Sequence, residues 1–211
     1  MIILGLTGSI GMGKTTAAQQ LRRLGIPVHD SDEVVHRLME KGGRAVPLID
    51  QAFPQVVFGG AVERPRLGAR VFGDDEALRR LEAILHPLVA DERWRFLRQA
   101  RRQRRRLVVL DIPLLFETHG ETTVDAVAVV SCPAFLQEQR VMARHGMTPG
   151  KLHAIRRRQM ADRDKRRRAD FVIPTGASPR LSLRRIHRMV ARLLAGPPLS
   201  RRASPARQRR R

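Results

Sequence analysis

Five short, nearly continuous apolar runs separated by longer amphipathic stretches constrain this chain most strongly. The runs are Ile2–Thr7, Pro27–His29, Leu107–Asp111, Asp125–Ser131 and Phe171–Ile173. Strands that are apolar along their whole length are typical of a parallel sheet that is covered by helices on both faces. The sequence therefore predicts an α/β fold with three layers, in which a parallel five-stranded sheet lies between helices.

Two intervals between these runs are longer than a crossover helix needs. Residues 32–106 have a mostly helical pattern and are predicted to form a helical insertion that holds a substrate. Residues 140–168 are dense in arginine and are predicted to form a second, mobile helical insertion. The predicted organisation is a core of residues 1–31, 107–139 and 169–195, a helical substrate domain at 32–106, a lid at 140–168, and a disordered basic tail at 196–211.

A glycine-rich segment follows the first run. Gly8–Thr15 fits the phosphate-loop pattern G-x-x-x-x-G-K-[ST], with an apolar strand before it and a helical pattern, Thr15–Leu24, after it. Glycines let successive N–H groups point inward as an anion nest, and the positive end of the following helix faces the same point. The segment predicts ATP binding by Gly8, Gly11, Met12, Gly13, Lys14, Thr15 and Thr16.

The side chains of the predicted loop are expected to have different roles in binding Mg-ATP. Lys14 is expected to face solvent without nucleotide and to reach the β- and γ-phosphates when ATP is bound, while the Thr15 hydroxyl is expected to bind Mg²⁺. Met12 is bulky for its position, but its side chain can point away while its N–H serves the phosphates. The loop predicts a nucleoside triphosphate and by itself does not separate kinases from hydrolases.

Two acidic residues follow the second run, where ligands of such sheets collect. A kinase needs one carboxylate there to accept the proton of the acceptor hydroxyl. Asp30 fits better as the N-cap of the next helix, with Glu33 completing a capping box. Position alone leaves the role of Asp32 open between a base and a residue that only favours the helix dipole.

The third run, Leu107–Asp111, ends in an aspartate, as in the Walker-B pattern. Asp111 is accordingly expected to orient Mg²⁺, directly or through water. Glu117 follows shortly after and either positions substrate or ends the loop. In the arginine-dense segment, Arg140 and Arg144 are four residues apart and are expected to share a helix face. Since they follow the fourth strand, they are the arginines best placed for phosphate; the others fit a solvated surface.

The amino-acid composition limits which classes of binding partner the protein can have. The formal net charge is +21, almost all of it from arginine, and the chain has no tyrosine. The charge favours a polyanionic partner, but an arginine bias this general and so few aromatic residues argue against specific nucleic-acid binding. We expect at most weak, non-specific contact by the basic tail. Cys132 is the only cysteine and no apolar run could span a membrane, so a cytoplasmic location is predicted.

Several motifs in order resemble the dephospho-coenzyme A kinase family over about residues 1–195. The most specific are Leu85-His86-Pro87 and the stretch Asp111-Ile-Pro-Leu-Leu-Phe-Glu117. The others are the segments Gly5–Thr16, Asp30–Asp32, Gln139-Arg140 with Arg144, Gln159-Met160 and Ala169–Ile173.

The resemblance implies a nucleotide-binding core, a helical coenzyme A domain and a lid. It implies phosphorylation of the ribose 3′-hydroxyl of dephospho-CoA by Mg-ATP, with Asp32 as general base and Arg140 on the ATP phosphates. His86, Asp111 and Glu117 are then expected to contact the acceptor. The chain departs from the family after its last strand, where Ile173-Pro-Thr-Gly176 replaces an Asp-Asn-x-Gly-like turn. Two alternatives remain at this point: a P-loop kinase for another small hydroxyl acceptor, and a nucleic-acid-dependent ATPase.

Overall fold

The computed structural model describes residues 1–196. The predicted disordered tail, residues 196–211, lies outside the described residues except for Gly196. The chain divides into two compact units. Met1–Val28 and the residues from Arg104 onward form the first, here called the sheet unit; His29–Gln103 form the second, here called the helical unit.

A five-stranded parallel sheet is the centre of the sheet unit, which contains four of its strands and Val28, the first residue of the fifth. Its strands are β1 Ile2–Thr7, β2 Val28–Asp30, β5 Leu107–Asp111, β6 Ala126–Ser131 and β7 Phe171–Pro174, in the order β2-β5-β1-β6-β7. β1 is central and pairs in parallel with both β5 and β6. All five strands lie within one residue of the apolar runs, which confirms the predicted sheet.

Helices cover this sheet and its strands are buried as expected. Every residue of β5 and β6 is buried, because such strands pack on both faces. Helices α1 (Lys14–Arg23) and α9 (Pro179–Ala195) pack against each other, α1 on β1 and α9 on β7. Their apolar faces share one core with the sheet, including Leu4, Leu21 and Ile186.

The segment predicted as a lid contains the end of one helix and two complete ones. The three helices are α6 Ala134–Met142, α7 Pro149–Arg158 and α8 Asp162–Arg168. They belong to the same compact unit as the sheet, and α8 packs against β6.

The helical unit is built on one long helix. Helices α2 (Ser31–Met39), α3 (Val46–Ala52) and α4 (Arg64–Val71) all pack against α5 (Asp75–Arg102). Its core includes Val34, Ile49, Phe53 and Leu67.

A small antiparallel hairpin in this unit was not predicted. It pairs β3 (Val57–Phe58) with β4 (Ala61–Val62). Gly59 and Gly60 form its turn with φ angles of 58° and 82°, and a two-residue turn with both φ positive matches the twist of a hairpin. Strands of two residues are too short to show a period in the sequence. None of the helices in residues 1–196 has the length and hydropathy of a membrane span.

Candidate active site

The phosphate loop connects the end of β1 to the start of α1 and has the glycine conformations that its pattern requires. Gly11 and Gly13 have φ angles of 74° and 85°, which residues with a Cβ rarely adopt. Gly8 is needed for space, because a Cβ there would lie 2.2 Å from Val130 Cγ2. Gly13 is also the N-cap of α1, so the positive end of this helix faces the loop.

Lys14 is paired with the aspartate at the end of β5. Lys14 Nζ lies 2.6 Å from Asp111 Oδ1, and Asp111 is fully buried while only 15% of the Lys14 side chain is exposed. The expectation that Lys14 faces solvent is therefore wrong, because a buried carboxylate attracts the ammonium to the end of the strand. The contact brings together the lysine predicted for phosphate and the carboxylate predicted for Mg²⁺.

Met12 is part of the core rather than of the open loop. Its side chain is buried, and its Sδ atom accepts a hydrogen bond from Cys132 N at 3.2 Å. Its own N–H donates to Ser9 O at 3.1 Å, so the expectation that this N–H is available to phosphate does not hold in this structure. Burial raises the pKa of the Cys132 thiol, which keeps it neutral and inert.

Side chains from three distant parts of the chain bind the main chain of the phosphate loop. Gln137 Nε2 donates to Ile10 O at 2.8 Å, and Ile10 N donates to Gln159 Oε1 at 3.1 Å. Thr175 Oγ1 donates to Met12 O at 2.6 Å. None of these roles was predicted from the sequence, because the partners are 127, 149 and 163 residues apart. Two of these side chains, Gln159 and Thr175, lie in the Gln159-Met160 and Ile173–Gly176 segments noted in the sequence, but those segments did not indicate a function.

Only one of the two predicted arginines lies on helix α6. Arg140 is half-buried, and its guanidinium donates to Thr175 O at 2.8 Å. Arg144 is exposed and lies two residues beyond the end of α6, where its N–H donates to Val141 O. The prediction that the two share a helix face is wrong, because α6 ends at Met142, before Arg144.

Glu117 binds residues of the arginine-dense segment. Its Oε1 atom lies 2.9 Å from Lys165 Nζ, which is completely buried, and accepts a hydrogen bond from Met160 N at 2.8 Å. Burial acts to raise the pKa of Glu117, but the Lys165 ammonium and the Met160 N–H outweigh it and lower the pKa below its ordinary value. The role of Lys165 was not predicted from the sequence, because this lysine stands among exposed arginines and gives no local signal of burial.

In the helical unit, the structure separates the two acidic residues at the start of α2. Asp30 is the N-cap, and its Oδ1 atom accepts hydrogen bonds from Asp32 N at 3.0 Å and Glu33 N at 3.1 Å. The capping interpretation of Asp30 is thus confirmed. The Asp32 side chain is exposed, and its carboxylate has no hydrogen-bond partner within residues 1–196.

His86 is exposed on α5, directly before Pro87. Another histidine of this unit, His29, is buried with its ring centroid 5.3 Å from that of Phe96. Burial, followed by the charges of Arg93 and Arg37, lowers the pKa of His29, so this histidine is a neutral packing residue.

The oxygen atoms expected to bind a metal are of the right kind. The Thr15 hydroxyl is exposed on the first turn of α1, and the Asp111 carboxylate ends the neighbouring strand. Mg²⁺ prefers oxygen ligands and keeps several of its waters and substrate phosphates instead of an all-protein cage. Across residues 1–196, no three His, Cys, Asp or Glu side chains form a group that could hold a metal.

The sheet is parallel, and a glycine-rich loop connects its central strand to α1. A lysine in that loop lies beside the aspartate of the adjacent strand. Together these features define a P-loop nucleotide-binding protein. A sequence model described as dephospho-CoA kinase matches residues 2–179. The chain therefore belongs to the dephospho-CoA kinase family, which is a family of kinases.

Individual relatives agree with this assignment. A dephospho-CoA kinase of Paramagnetospirillum magneticum is 64% identical over 166 residues, which cover 79% of this chain and 78% of the relative. One of Brucella abortus is 50% identical over 196 residues, covering 93% and 95%.

Solved structures support the fold. TT1252 from Thermus thermophilus has a TM-score of 0.79 at 37% identity, with 92% of this chain and 98% of the other covered. Dephospho-CoA kinase from Campylobacter jejuni has a TM-score of 0.64 at 20% identity, with the same coverage, and this second similarity concerns the fold alone.

Proposed function

We propose that the protein transfers the γ-phosphoryl group of ATP to the ribose 3′-hydroxyl of dephospho-CoA, giving coenzyme A and ADP. The observation that carries the proposal is the family match over residues 2–179. The phosphate loop supports it, since the glycine conformations that such a loop needs are present and Lys14 lies beside Asp111 at the end of β5.

On the donor side, we assign the triphosphate to the segment Gly8–Thr16. When ATP binds, Lys14 Nζ exchanges part of its contact with Asp111 for oxygens of the β- and γ-phosphates. Arg140 and Arg144 are the proposed further cations. The transition state spreads charge over the three equatorial oxygens of the transferring group, so cations held there stabilise it more than the ground state.

We assign Mg²⁺ to the Thr15 hydroxyl and the Asp111 carboxylate, whose oxygens suit this ion. Bound Mg²⁺ supplies charge neutralisation at the β- and γ-phosphate oxygens. The role of the protein is to hold Asp111 in place. The carboxylate of Asp111 is held because it is fully buried against Lys14.

On the acceptor side, Asp32 is the proposed general base. Asp30 is committed to capping α2, whereas the Asp32 carboxylate is exposed and can accept a proton. As the 3′-oxygen bonds to the γ-phosphorus, its proton moves to Asp32, and the bond from the γ-phosphorus to the bridging oxygen of ADP breaks.

The helical unit is the proposed holder of dephospho-CoA, and exposed His86 is a proposed contact. Glu117 was expected to contact substrate, but its ion pair with Lys165 and its bond to Met160 N favour a role in fixing the segment between α7 and α8. We expect the enzyme to act on this small molecule in the cytoplasm, with no specific nucleic-acid partner.

An acceptor panel tests the reaction. Purified protein with Mg-ATP is given dephospho-CoA, a nucleoside monophosphate, shikimate or gluconate, and ADP release is measured. We expect turnover with dephospho-CoA only. Preference for another acceptor would assign a different kinase activity, and ATP hydrolysis that rises with added RNA or DNA would favour a nucleic-acid-dependent ATPase.

Asp32→Asn tests the base. Asparagine keeps the shape of the side chain but cannot accept the proton, so single-turnover transfer should fall about 10²–10⁴-fold while ATP affinity stays unchanged. Asp30→Asn is the matched control, since asparagine also caps helices and transfer should persist. If the control loses transfer and Asp32→Asn keeps it, the base has been assigned to the wrong carboxylate.

A further inference from the structure

The main chain of the phosphate loop is held at alternate carbonyl groups. Gln137 Nε2 binds Ile10 O at 2.8 Å, and Thr175 Oγ1 binds Met12 O at 2.6 Å. The N–H and C=O groups of a trans peptide point in opposite directions. Holding these two carbonyls therefore directs the N–H groups of the next residues, Gly11 and Gly13, the other way.

The peptide before this pair is fixed at both of its polar groups. The Ile10 N–H donates to Gln159 Oε1 at 3.1 Å, and Ser9 O accepts from Met12 N at 3.1 Å. Three peptide planes of the loop are thus set by named partners. Glycines would otherwise leave these planes free to rotate, since they restrict φ and ψ least of all residues.

The side chains that hold the loop are themselves held. Gln137 is buried, and its Oε1 atom accepts from Arg156 at 2.9 Å. Thr175 N donates to Ser131 O at 2.9 Å, and Thr175 O accepts from Arg140 at 2.8 Å. A single threonine therefore connects the phosphate loop, the end of β6 and the arginine proposed for the phosphates.

Thr175 is also packed directly on the loop. A Cβ built on Gly13 would lie 3.2 Å from both Cβ and Oγ1 of Thr175. The hydroxyl has one proton to donate, and Met12 O at 2.6 Å is closer than Ser131 O at 3.3 Å. The hydroxyl is therefore committed to the loop carbonyl.

We propose that Thr175, with Gln137 and Gln159, is a positioning residue that orients the N–H groups of Gly11 and Gly13 toward the phosphates before ATP arrives. The proposal rests on the proposed function in taking ATP as the ligand of the loop. It assigns a task to Thr175, which lies in the segment Ile173–Gly176 where the sequence departs from an Asp-Asn-x-Gly-like turn. None of the three side chains takes part in bond making or breaking.

Thr175→Val and Thr175→Ser test the proposal. Valine has the same shape but no hydroxyl, so Met12 O loses its partner, and the dissociation constant of ATP measured by calorimetry without acceptor should rise about tenfold. Serine keeps the hydroxyl and should bind ATP as the wild type does. Thr123→Val is the control, because its hydroxyl binds Gly120 O outside the loop, and ATP affinity should not change.

Steady-state kinetics and hydrogen exchange separate positioning from a general structural role. In Thr175→Val the KM for ATP should rise while the KM for dephospho-CoA stays constant. In Gln159→Met the Ile10 amide should exchange faster without nucleotide while the amides of β5 and β6 keep their protection. Unchanged ATP affinity in Thr175→Val, or failure of serine to restore it, would overturn the proposal.

The same measurements distinguish this proposal from the proposed function. If wild-type protein binds ATP and Thr175→Val binds it more weakly, the positioning role holds even when dephospho-CoA is not the acceptor. If dephospho-CoA is phosphorylated and the two proteins bind ATP equally, the function holds and the positioning role fails.

Discussion

The two units of the chain hold their proposed functional residues in different ways. In the sheet unit, the phosphate loop is bound by side chains from α6, the end of α7 and the turn after β7, and Lys14 lies on a buried carboxylate. In the helical unit, Asp32 and His86 stand exposed on helices, and the ion pairs that involve Arg44, Asp91 and Arg95 are at the surface.

The difference indicates two tasks. A loop that surrounds a triphosphate must keep its N–H groups aligned, since preorganised dipoles stabilise developing charge without reorganising. Asp32, the proposed general base, would instead accept a proton from a bound hydroxyl, and an exposed carboxylate on the first turn of a helix suffices for that once the acceptor is in place.

Removing the charge of Lys14 should give the largest effect. In Lys14→Ala the transferring phosphoryl group loses its main cation, and turnover should fall about 10²–10³-fold. The melting temperature should fall as well, because Asp111 is fully buried beside the lost ammonium. Lys41→Ala, which changes an exposed lysine of the helical unit, is the control; near-normal turnover of Lys14→Ala would contradict the assignment of the phosphate loop.

The buried ion pair between Lys165 and Glu117 in the sheet unit should contribute more to stability than the exposed pair between Arg44 and Asp91 in the helical unit. Lys165→Met leaves the Glu117 carboxylate without its buried cation and should lower the free energy of unfolding by about 3–5 kcal/mol. Urea unfolding measures the change. In the double variant Lys165→Met with Glu117→Gln the loss should be smaller, because no uncompensated charge remains.

Arg44→Ala is the matched comparison for that variant. Arg44 and Asp91 are an exposed pair, and such pairs are screened by water and salt. The urea unfolding curve of Arg44→Ala should overlay that of the wild type. An equal loss in the exposed and buried variants would remove the contrast between the two units.

The pH dependence of the helical unit gives the smallest predicted effect. The folded-state pKa of His29 is lowered from 6.5, first by burial and then by Arg93 and Arg37, so the unfolded chain binds a proton at a higher pH than the folded one. The contribution of His29 to the free energy of unfolding is complete above pH 6.5. It is lost as the pH falls through that value toward the lower folded-state pKa.

Trp94 is the only tryptophan and lies on α5 of this unit, so its fluorescence can follow urea unfolding there at each pH. The midpoint should fall on acidification from about pH 7.5 to about pH 5.5. His29→Phe removes the titrating group and should flatten this decline. A wild-type midpoint that stays level or rises over this range would refute the prediction.

Local patterns made the strands, the phosphate loop and the Asp30 cap predictable. Each of these features leaves a pattern within a few sequence positions: an apolar run, a glycine spacing or an N-cap residue. The contacts of Gln137, Gln159, Thr175 and Lys165 could not be predicted, because each depends on a partner brought close only by the fold. Lys14 was misjudged for the same reason: its buried partner, Asp111, is 97 residues away.

Two lysines of the sheet unit lie where the volume beside a carboxylate is limited. Only four of the chain's 41 basic residues are lysines, and two of them, Lys14 and Lys165, lie against carboxylates inside the sheet unit. A guanidinium is broader than an ammonium and carries five N–H donors that need partners, so arginine does not fit a closed space beside one carboxylate oxygen. Lysine-to-arginine replacement is then a probe of cavity size: exposed Lys41 and Lys151 should accept it, and Lys165 should not.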